Sequence, residues 1–301
     1  MAKISARPFR LALCQLGGTG KIKSHNIELA RKIVAQAASS TPKPDLIVLP
    51  EIWNSPYAVT SFREYSEKIP EVGSTGSDSD SEGEGETIKA LREMAREAGC
   101  WLIGGSIPEI EEKTDSIFNC ATAYDPQGKL VAKHRKVHLF DIDIPGRQTF
   151  KESDSLTGGS TLTTFEAPFG KIGLGICYDV RFPEMAMVAA RQGCAAMIYP
   201  SAFNTTTGPM HWTLLQRARA VDNQIYVSMC SPARNPEAAY QAYGHSMVVN
   251  PLGDVLVEAD EHEAILYADI DTELLATTRR NLPVTIQRRF DVYPDVSKGF
   301  Q

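Results

Sequence analysis

Short apolar segments of strand length alternate with amphipathic segments of helix length along nearly all of this 301-residue chain. Leu46 to Leu49 reads as a buried strand that Pro50 ends, and Asn26 to Ala38 carries apolar side chains at helical spacing. No change in composition and no linker divides the chain, so the sequence predicts one domain over residues 1–301. Strands interleaved with helices throughout predict an α/β fold in which helices cover layered sheets.

One stretch, Gly73 to Glu86, departs from this alternation. It contains almost no apolar residue and a block of acidic ones, which is typical of a disordered surface loop. We therefore expect residues 73–86 to be solvated and to lie away from any reactive centre.

The charge and the cysteines limit the classes of partner and compartment. A net charge of −6 and a pI of about 5.6 disfavour a nucleic acid or an acidic membrane as partner. No apolar run approaches the length of a membrane span. The six cysteines are scattered without paired spacing, which indicates reduced thiols in a cytoplasmic protein. The basic start, Met1 to Arg7, is too short to favour import into mitochondria, which is the alternative location.

Three reactive side chains follow strand-like segments. Cys177 ends the apolar segment from Ile172, and Glu51 directly follows Pro50. Taken singly, a free cysteine is more often a buried apolar residue, and such a glutamate is more often structural. Lys136 lies in a basic run that more often forms a solvated face, and spacing alone does not choose its inward residue. Together they supply a thiol nucleophile, a carboxylate base and a cation for an oxyanion.

The motifs around these residues together resemble the nitrilase superfamily. They are Leu-Pro-Glu at 49–51, His-Arg-Lys-Val-His-Leu at 134–139 and Gly-Ile-Cys-Tyr-Asp at 175–179. The resemblance implies a catalytic triad of Glu51, Lys136 and Cys177, and a second glutamate, Glu152, that positions the base and the lysine. It also implies an αββα four-layer sandwich, usually paired as a homodimer, and no metal or organic cofactor.

Several loops are similar to the omega-amidase branch of that superfamily, among them Asn54 to Tyr57, His138 to Gly146 and Phe203 to Pro209. The similarity implies hydrolysis of the terminal amide of dicarboxylate monoamides to the dicarboxylate and ammonia, through a cysteine thioester. Its substrates are α-ketoglutaramate, α-ketosuccinamate and succinamate. The deaminated glutathione amidase branch, which shares Arg181 to Glu184 and Tyr243 to Val249, is the alternative. A non-catalytic relative that binds a partner through the acidic stretch is a third possibility.

The substrates of that branch carry a carboxylate away from the amide, which a cation should receive. Arg181, four residues after Cys177, is the candidate, because a guanidinium can bind a carboxylate through two hydrogen bonds. A salt bridge from Arg181 to Asp179 or Glu184 is an equal alternative. The backbone N–H of Tyr178 is expected to share the oxyanion with the lysine. The loops that match the branch add three weaker pocket candidates, Tyr57, Phe203 and Thr206.

The histidines are interpreted as structural. His134 and His138 have a spacing found among metal ligands, but no cysteine or acid pair completes the set, so we expect no metal site. His211 lies in apolar surroundings and is expected to be a hydrogen-bonding residue of the core.

Overall fold

The structure is a computed structural model that describes residues 5–76, 83–146, 148–295 and 297–298. Residues 77–82 of the acidic stretch and residues 1–4 of the basic start lie outside the described residues. Within the described part, no helix is long and apolar enough to cross a membrane.

In the described part of the chain, the strands form two six-stranded sheets and one hairpin. In chain order they are β1 (Phe9–Gln15), β2 (Leu46–Val48), β3 (Trp101–Glu111), β4 (Ser116–Tyr124), β5 (Leu130–Arg135), β6 (Asp141–Ile144), β7 (Gln148–Lys151), β8 (Thr163–Ala167), β9 (Gly170–Leu174), β10 (Ala196–Pro200), β11 (Tyr226–Cys230), β12 (Met247–Val249), β13 (Val255–Glu258) and β14 (Ala264–Ile270). The first sheet has the order β14-β1-β2-β3-β4-β5, and the second has the order β13-β12-β11-β10-β9-β8. Among the described residues, the strands β6 and β7 pair only with each other.

Most of the helices lie between strands in sequence, and the last two follow β14. They are α1 (Lys23–Ala38), α2 (Phe62–Tyr65), α3 (Glu86–Ala98), α4 (Pro183–Arg191), α5 (Thr207–Asn223), α6 (Thr272–Asn281) and α7 (Val284–Gln287). The described residues also form two short 3-10 helices, Glu152–Asp154 and Cys177–Arg181.

Successive side chains of a strand point to opposite faces of its sheet, so each sheet packs against the other sheet on one face and against helices on the other. On β1, Leu11 and Leu13 belong to the apolar layer between the two sheets, together with Ile172 of β9. Ala12, on the opposite face of β1, packs with the side chains of α1 and α3. The helices α4 and α5 contact β9 and β11 on the far side of the second sheet. The expected αββα sandwich is therefore confirmed, with the helix pairs outside and the sheets inside.

The strand directions bring two reactive residues to one edge of the first sheet. The strand β2 is parallel to β3, while β4 is antiparallel to both β3 and β5, so β2 and β5 run in the same direction. Glu51 follows β2 and Lys136 follows β5. Their positions are thus set by the topology rather than by their separation along the chain.

The described ends of the acidic stretch are packed, so the expectation of a fully solvated 73–86 loop is too broad. Glu84 is buried and its carboxylate accepts a hydrogen bond of 2.7 Å from Arg92, whose side chain is also buried. Arg92 also donates to the carbonyl of Ser74, and Glu86 begins α3. A buried arginine with this carboxylate partner fixes the loop ends against the helix.

Gly105, on β3 beside the segment that leads from β2 to Glu51, provides a test of the packing between these two segments. Gly105 has φ +67°, and a Cβ there would lie 2.1 Å from the carbonyl oxygen of Pro50. We expect Gly105→Ala to lower the free energy of unfolding by about 3 kcal/mol, from backbone strain plus overpacking. Gly20→Ala is the control, because a Cβ at Gly20 meets nothing within 4 Å. Urea unfolding of both variants is the measurement, and equal stabilities would contradict this description of the strand.

Candidate active site

The centre of the site is the ammonium group of Lys136, which is fully buried between two carboxylates. Its Nζ lies 3.1 Å from Oε1 of Glu51 and 2.9 Å from Oε1 of Glu152. The lysine backbone is fixed as well, since its N–H donates to the carbonyl of Asn119 on β4. Burial alone would lower the pKa of Lys136, but the charges of Glu152 and Glu51 outweigh it and raise this pKa. The lysine is therefore a permanent cation here.

Glu51 is held by one oxygen, which leaves the other available for chemistry. Oε1 accepts hydrogen bonds from Asn119 Nδ2 at 2.8 Å and from Lys136, and it lies 3.2 Å from the Tyr57 hydroxyl, whose single proton it shares with Glu152. Oε2 is buried and makes no hydrogen bond of normal geometry with a described group, although the Cys177 thiol is close enough to interact with this carboxylate. Burial raises the pKa of Glu51, Lys136 partly offsets the effect, and the charge of Glu152 raises it further. This carboxylate is consequently a stronger base than an exposed glutamate.

Glu152 supports the lysine from the other side. It begins the 3-10 helix that follows β7, and its Oε1 also accepts a hydrogen bond of 2.9 Å from the Tyr57 hydroxyl. Its Oε2 accepts a hydrogen bond of 2.8 Å from the backbone N–H of Phe140. Both oxygens are thus occupied, which distinguishes Glu152 from Glu51 and suits a positioning role.

Cys177 stands at a strained turn where the second sheet ends. It has φ +45°, a conformation unfavourable for a residue with a side chain, and it begins the 3-10 helix after β9. Its side chain is 3% exposed. Burial raises the pKa of the thiol, the charge of Glu51 raises it further, and Lys136 partly offsets both. Near neutral pH the thiol is protonated at rest, so its reaction as a nucleophile needs a base.

A second carboxylate, Asp179, holds this turn in place. Its carboxylate accepts three hydrogen bonds: one of 3.0 Å from the backbone N–H of Ile176, one of 3.1 Å from Nε2 of His134 and one of 2.8 Å from Nδ1 of His138. The backbone N–H of His138 donates to it as well. Burial opposes ionisation of Asp179, but these hydrogen bonds lower its pKa overall. The two histidines therefore tie the lysine loop to the cysteine turn.

Arg181 forms neither of the salt bridges considered from sequence. Asp179 is bound as described above, and within the described ranges no carboxylate pairs with Arg181. The guanidinium lies over the rings of Tyr178 at 5.3 Å and Phe203 at 4.8 Å, and its Nε is buried without an acceptor. Burial lowers the pKa of Arg181, as expected for a cation without a counter-ion.

Aromatic residues enclose the site, and some of them were not found from sequence. Tyr57 stacks on Tyr240 at a centroid distance of 4.3 Å, and Phe150 lies against both rings. Tyr240 donates a hydrogen bond to the carbonyl of Ala202. Asn119, a polar residue inside the apolar segment of β4, was missed although its polarity was a usable signal. Tyr240 carried no such signal, because a long loop brings it to the site.

The weaker pocket candidates have different outcomes. Phe203 is buried, and its ring contacts the Arg181 guanidinium, so it adjoins the site. Thr206 is half-buried, and its backbone N–H donates 3.0 Å to Asn204 in a local turn. No hydrogen bond joins its side chain to the site among the described residues. No group of three or more His, Cys, Asp or Glu side chains suited to a metal ion occurs there either.

Comparison with known proteins places this architecture in a family. The sequence profile of the carbon-nitrogen hydrolase family matches residues 10–280. An omega-amidase of Saccharomyces cerevisiae is 49% identical over 297 residues, which are 98% of this chain and 98% of the relative. The fold and these matches define a hydrolase that acts on non-peptide carbon–nitrogen bonds of linear amides. The chain belongs to the carbon-nitrogen hydrolase family, in the nitrilase superfamily.

Solved structures support the same assignment. The crystal structure of a Saccharomyces cerevisiae protein, described as a member of branch 10 of the nitrilase superfamily, matches with a TM-score of 0.86 and 46% identity. The match covers 96% of this chain and 99% of that one. An amidase of Nesterenkonia matches with a TM-score of 0.69 and 25% identity, over 91% and 95% of the two chains. Its structure is described as showing covalent addition of an acetamide moiety at the active-site cysteine.

The Asp179 network yields a prediction on stability and pH. Only one of the two polar side-chain atoms of asparagine can accept a hydrogen bond, so Asp179→Asn loses about two charge-assisted hydrogen bonds. We therefore expect this substitution to lower the free energy of unfolding by about 3 kcal/mol at neutral pH. Because folding lowers the pKa of Asp179, its contribution is present above the unfolded pKa of about 3.9 and is lost as pH falls through the folded pKa.

The measurement is urea unfolding of wild type and Asp179→Asn across this pH range. The difference in the free energy of unfolding between the two proteins should become smaller below about pH 4. Asp291→Asn is the control, because Asp291 is exposed and pairs only with Arg289 among the described residues. A gap that is independent of pH down to strongly acidic conditions would contradict the role given to the carboxylate.

Proposed function

We propose that the protein is an omega-amidase that hydrolyses the terminal amide of dicarboxylate monoamides such as succinamate, α-ketoglutaramate and α-ketosuccinamate. The observation that carries the proposal is the buried Glu51–Lys136–Glu152 network next to the strained Cys177 turn. The near full-length similarity to an omega-amidase supports the substrate class. A non-catalytic relative would gain nothing from burying these charges, since their desolvation costs stability.

In the proposed acylation step, Cys177 is the nucleophile and Glu51 is the general base. Oε2 of Glu51 takes the thiol proton as the sulfur attacks the amide carbon. The oxyanion that forms is stabilised by the Lys136 ammonium and the backbone N–H of Tyr178. Glu51 then returns the proton to the leaving nitrogen, the carbon–nitrogen bond breaks, and ammonia departs from a thioester.

The deacylation step reuses the same groups. Glu51 removes a proton from water, whose oxygen attacks the thioester carbon, and the carbon–sulfur bond breaks. The proton returns to sulfur and the dicarboxylate leaves, so neither metal nor organic cofactor is needed. Glu152 takes no part in proton transfer in this scheme. It holds Lys136 in place and, together with Tyr57, fixes the angle of Glu51.

Arg181 is the proposed receptor for the distal carboxylate of the substrate. Its Nε is buried without an acceptor, and no described carboxylate pairs with it. The rings of Tyr178 and Phe203 beside it provide walls for the short carbon chain. A dicarboxylate monoamide fits this arrangement, because its amide would meet Cys177 while its carboxylate neutralises the arginine.

Replacement of the nucleophile tests the mechanism. We expect Cys177→Ala to reduce ammonia release from succinamate by at least about 10⁴-fold, because no other group can form the thioester. Cys100→Ser is the matched control, since Cys100 is also buried and its thiol donates only to the carbonyls of Pro44 and Ala98 among the described residues. The measurement is ammonia release, together with intact-mass detection of the acyl-enzyme after acid quench.

The result that would overturn the mechanism is turnover by Cys177→Ala near the wild-type rate. A succinyl adduct on wild type and on Cys100→Ser, but not on Cys177→Ala, would support it. The structure of the Nesterenkonia amidase mutant, described as showing the acetamide moiety of fluoroacetamide on its active-site cysteine, is a precedent for covalent modification of a cysteine in this fold.

Substrate choice separates this proposal from deaminated glutathione amidase activity. We expect kcat/KM for succinamate to exceed that for deaminated glutathione by at least about 100-fold, because one arginine matched to a short chain favours the smaller substrate. The measurement is ammonia release from both compounds under the same conditions. A preference for deaminated glutathione would assign the chain to the alternative activity.

We further propose one domain over residues 1–301, a homodimer and a cytoplasmic location. The dimer is supported by exposed apolar side chains on α5 and α7, among them Leu214 at 62% and Ile286 at 73%. The location is supported by six cysteines that are all free and buried, as is typical of a reducing compartment.

A further inference from the structure

His211 makes a hydrogen bond with the arginine that the proposed function assigns to the substrate carboxylate. Its Nδ1 lies 3.0 Å from Nη1 of Arg181. Contrary to the expectation from sequence, His211 is half-buried on the first turns of α5 and is not a residue of the core. Arginine can only donate, so His211 must accept with an unprotonated Nδ1 and carry its proton on Nε2. The imidazole therefore binds a cation and must be neutral to do so.

The other contacts of Arg181 show what this hydrogen bond adds. Arg219 donates to the carbonyls of Val180 and Arg181 at 2.8 and 2.9 Å, which fixes the backbone of the arginine. The rings of Tyr178 and Phe203 confine the plane of the guanidinium without fixing its rotation. The hydrogen bond to His211 fixes that rotation and leaves the edge that contains Nε for a ligand.

We propose that His211 is a positioning residue that orients Arg181 toward the distal carboxylate of the substrate and releases it when the imidazole is protonated. This inference rests on the proposed function of Arg181. Protonated histidine has an N–H on both ring nitrogens and cannot accept from arginine. Its charge would also lie about 3 Å from a second cation, which favours rotation of the guanidinium away from its binding position.

The electrostatic surroundings leave Arg181 as the charged contact of His211. The charged and titratable side chains of the elements packed against α5 are Cys177, Tyr178, Asp179 and Arg181 of the 3-10 helix, Glu184 and Arg191 of α4, and Tyr226 and Cys230 of β11. On α5 itself they are Arg217, Arg219 and Asp222, and the loop that packs against Gly208 and Trp212 adds Tyr243 and His245. Asp179 is bound by two histidines, Arg191 lies over Phe290, and Tyr226 bonds to the backbone of Asp271. Glu184 is exposed, and in the described part of the chain no carboxylate pairs with His211.

Burial, and then the charge of Arg181, lower the pKa of His211, which keeps the imidazole neutral at neutral pH. As pH falls through this lowered pKa, the hydrogen bond to Arg181 is lost. Binding of a substrate carboxylate should therefore weaken on the acidic side of neutrality. Binding of an amide without a carboxylate should not change through this route.

The test compares succinamate with butyramide, in which a methyl group replaces the carboxylate. We expect His211→Ala to raise KM for succinamate about tenfold, as for loss of one charge-assisted hydrogen bond, while KM for butyramide changes less than about twofold. His211→Asn should restore most of the succinamate KM, because its amide oxygen can accept where Nδ1 does. His25→Asn is the control, since His25 is exposed on α1, on the outer face of the other sheet.

The pH profile provides a readout that a purely structural role would not move. In wild type, the ratio of kcat/KM for succinamate to that for butyramide should fall as pH drops from neutrality. Titration of Glu51 and Cys177 affects both substrates and cancels in this ratio. Titration of succinamate itself occurs in every variant. In His211→Asn, which has no imidazole to protonate, the ratio of the two kcat/KM values should therefore fall less than in wild type as pH drops.

Three results would overturn the inference. They are an unchanged succinamate KM in His211→Ala, an equal rise in KM for both amides, and the same pH profile in His211→Asn as in wild type. Arg181→Met separates this failure from failure of the proposed function. A raised succinamate KM in Arg181→Met beside an unchanged one in His211→Ala overturns only the role of His211. An unchanged KM in both variants overturns the role of Arg181 as well.

Discussion

The rest of the site depends on one buried ammonium group held by two carboxylates. Lys136 is solvent-inaccessible and contacts both Glu51 and Glu152, so the cluster carries one positive and two negative charges when all three are ionised. Removing either carboxylate would leave the lysine with less compensation for its burial, and removing the lysine would set two carboxylates against each other. Burial, and to a lesser extent the charge of Glu152, raise the pKa of Glu51 and make it a competent base. Stability and proposed chemistry therefore depend on the same two contacts.

The turn at Cys177 is the second constraint, and it is coupled to the first. A residue with a side chain at φ +45° persists only where its surroundings fix it, and Asp179 does so through Ile176 and two histidines. His134 lies on β5, two residues before Lys136, so one strand end helps to hold both the ammonium and the thiol. The two sheets thus meet at the site through hydrogen bonds rather than through apolar packing alone.

The sequence allowed prediction of the residues that a strand end delivers. Glu51, Lys136 and Cys177 were predicted as site residues from their motifs and Glu152 from the family resemblance, and the layered fold followed from the alternation of strands and helices and from the same resemblance. Residues whose place depends on long-range geometry were not found. The stacking of Tyr240 on Tyr57 arises from a loop far along the chain, and the partner of Arg181 proved to be His211 rather than a nearby carboxylate. The hairpin of β6 and β7, which turns the chain back to place Glu152, was also missed, although Asp-Ile-Asp-Ile has the alternation of a strand.

The most direct test of the account is a crystal structure of the Cys177→Ala protein with succinamate bound. We expect the amide carbon to lie over the former position of Sγ, with the amide oxygen within hydrogen-bond distance of Lys136 Nζ and of the Tyr178 N–H. The carboxylate should contact the Nε edge of Arg181. Succinamate bound with its amide remote from Lys136, or a Lys136 ammonium separated from Glu51 and Glu152, would contradict the central claim.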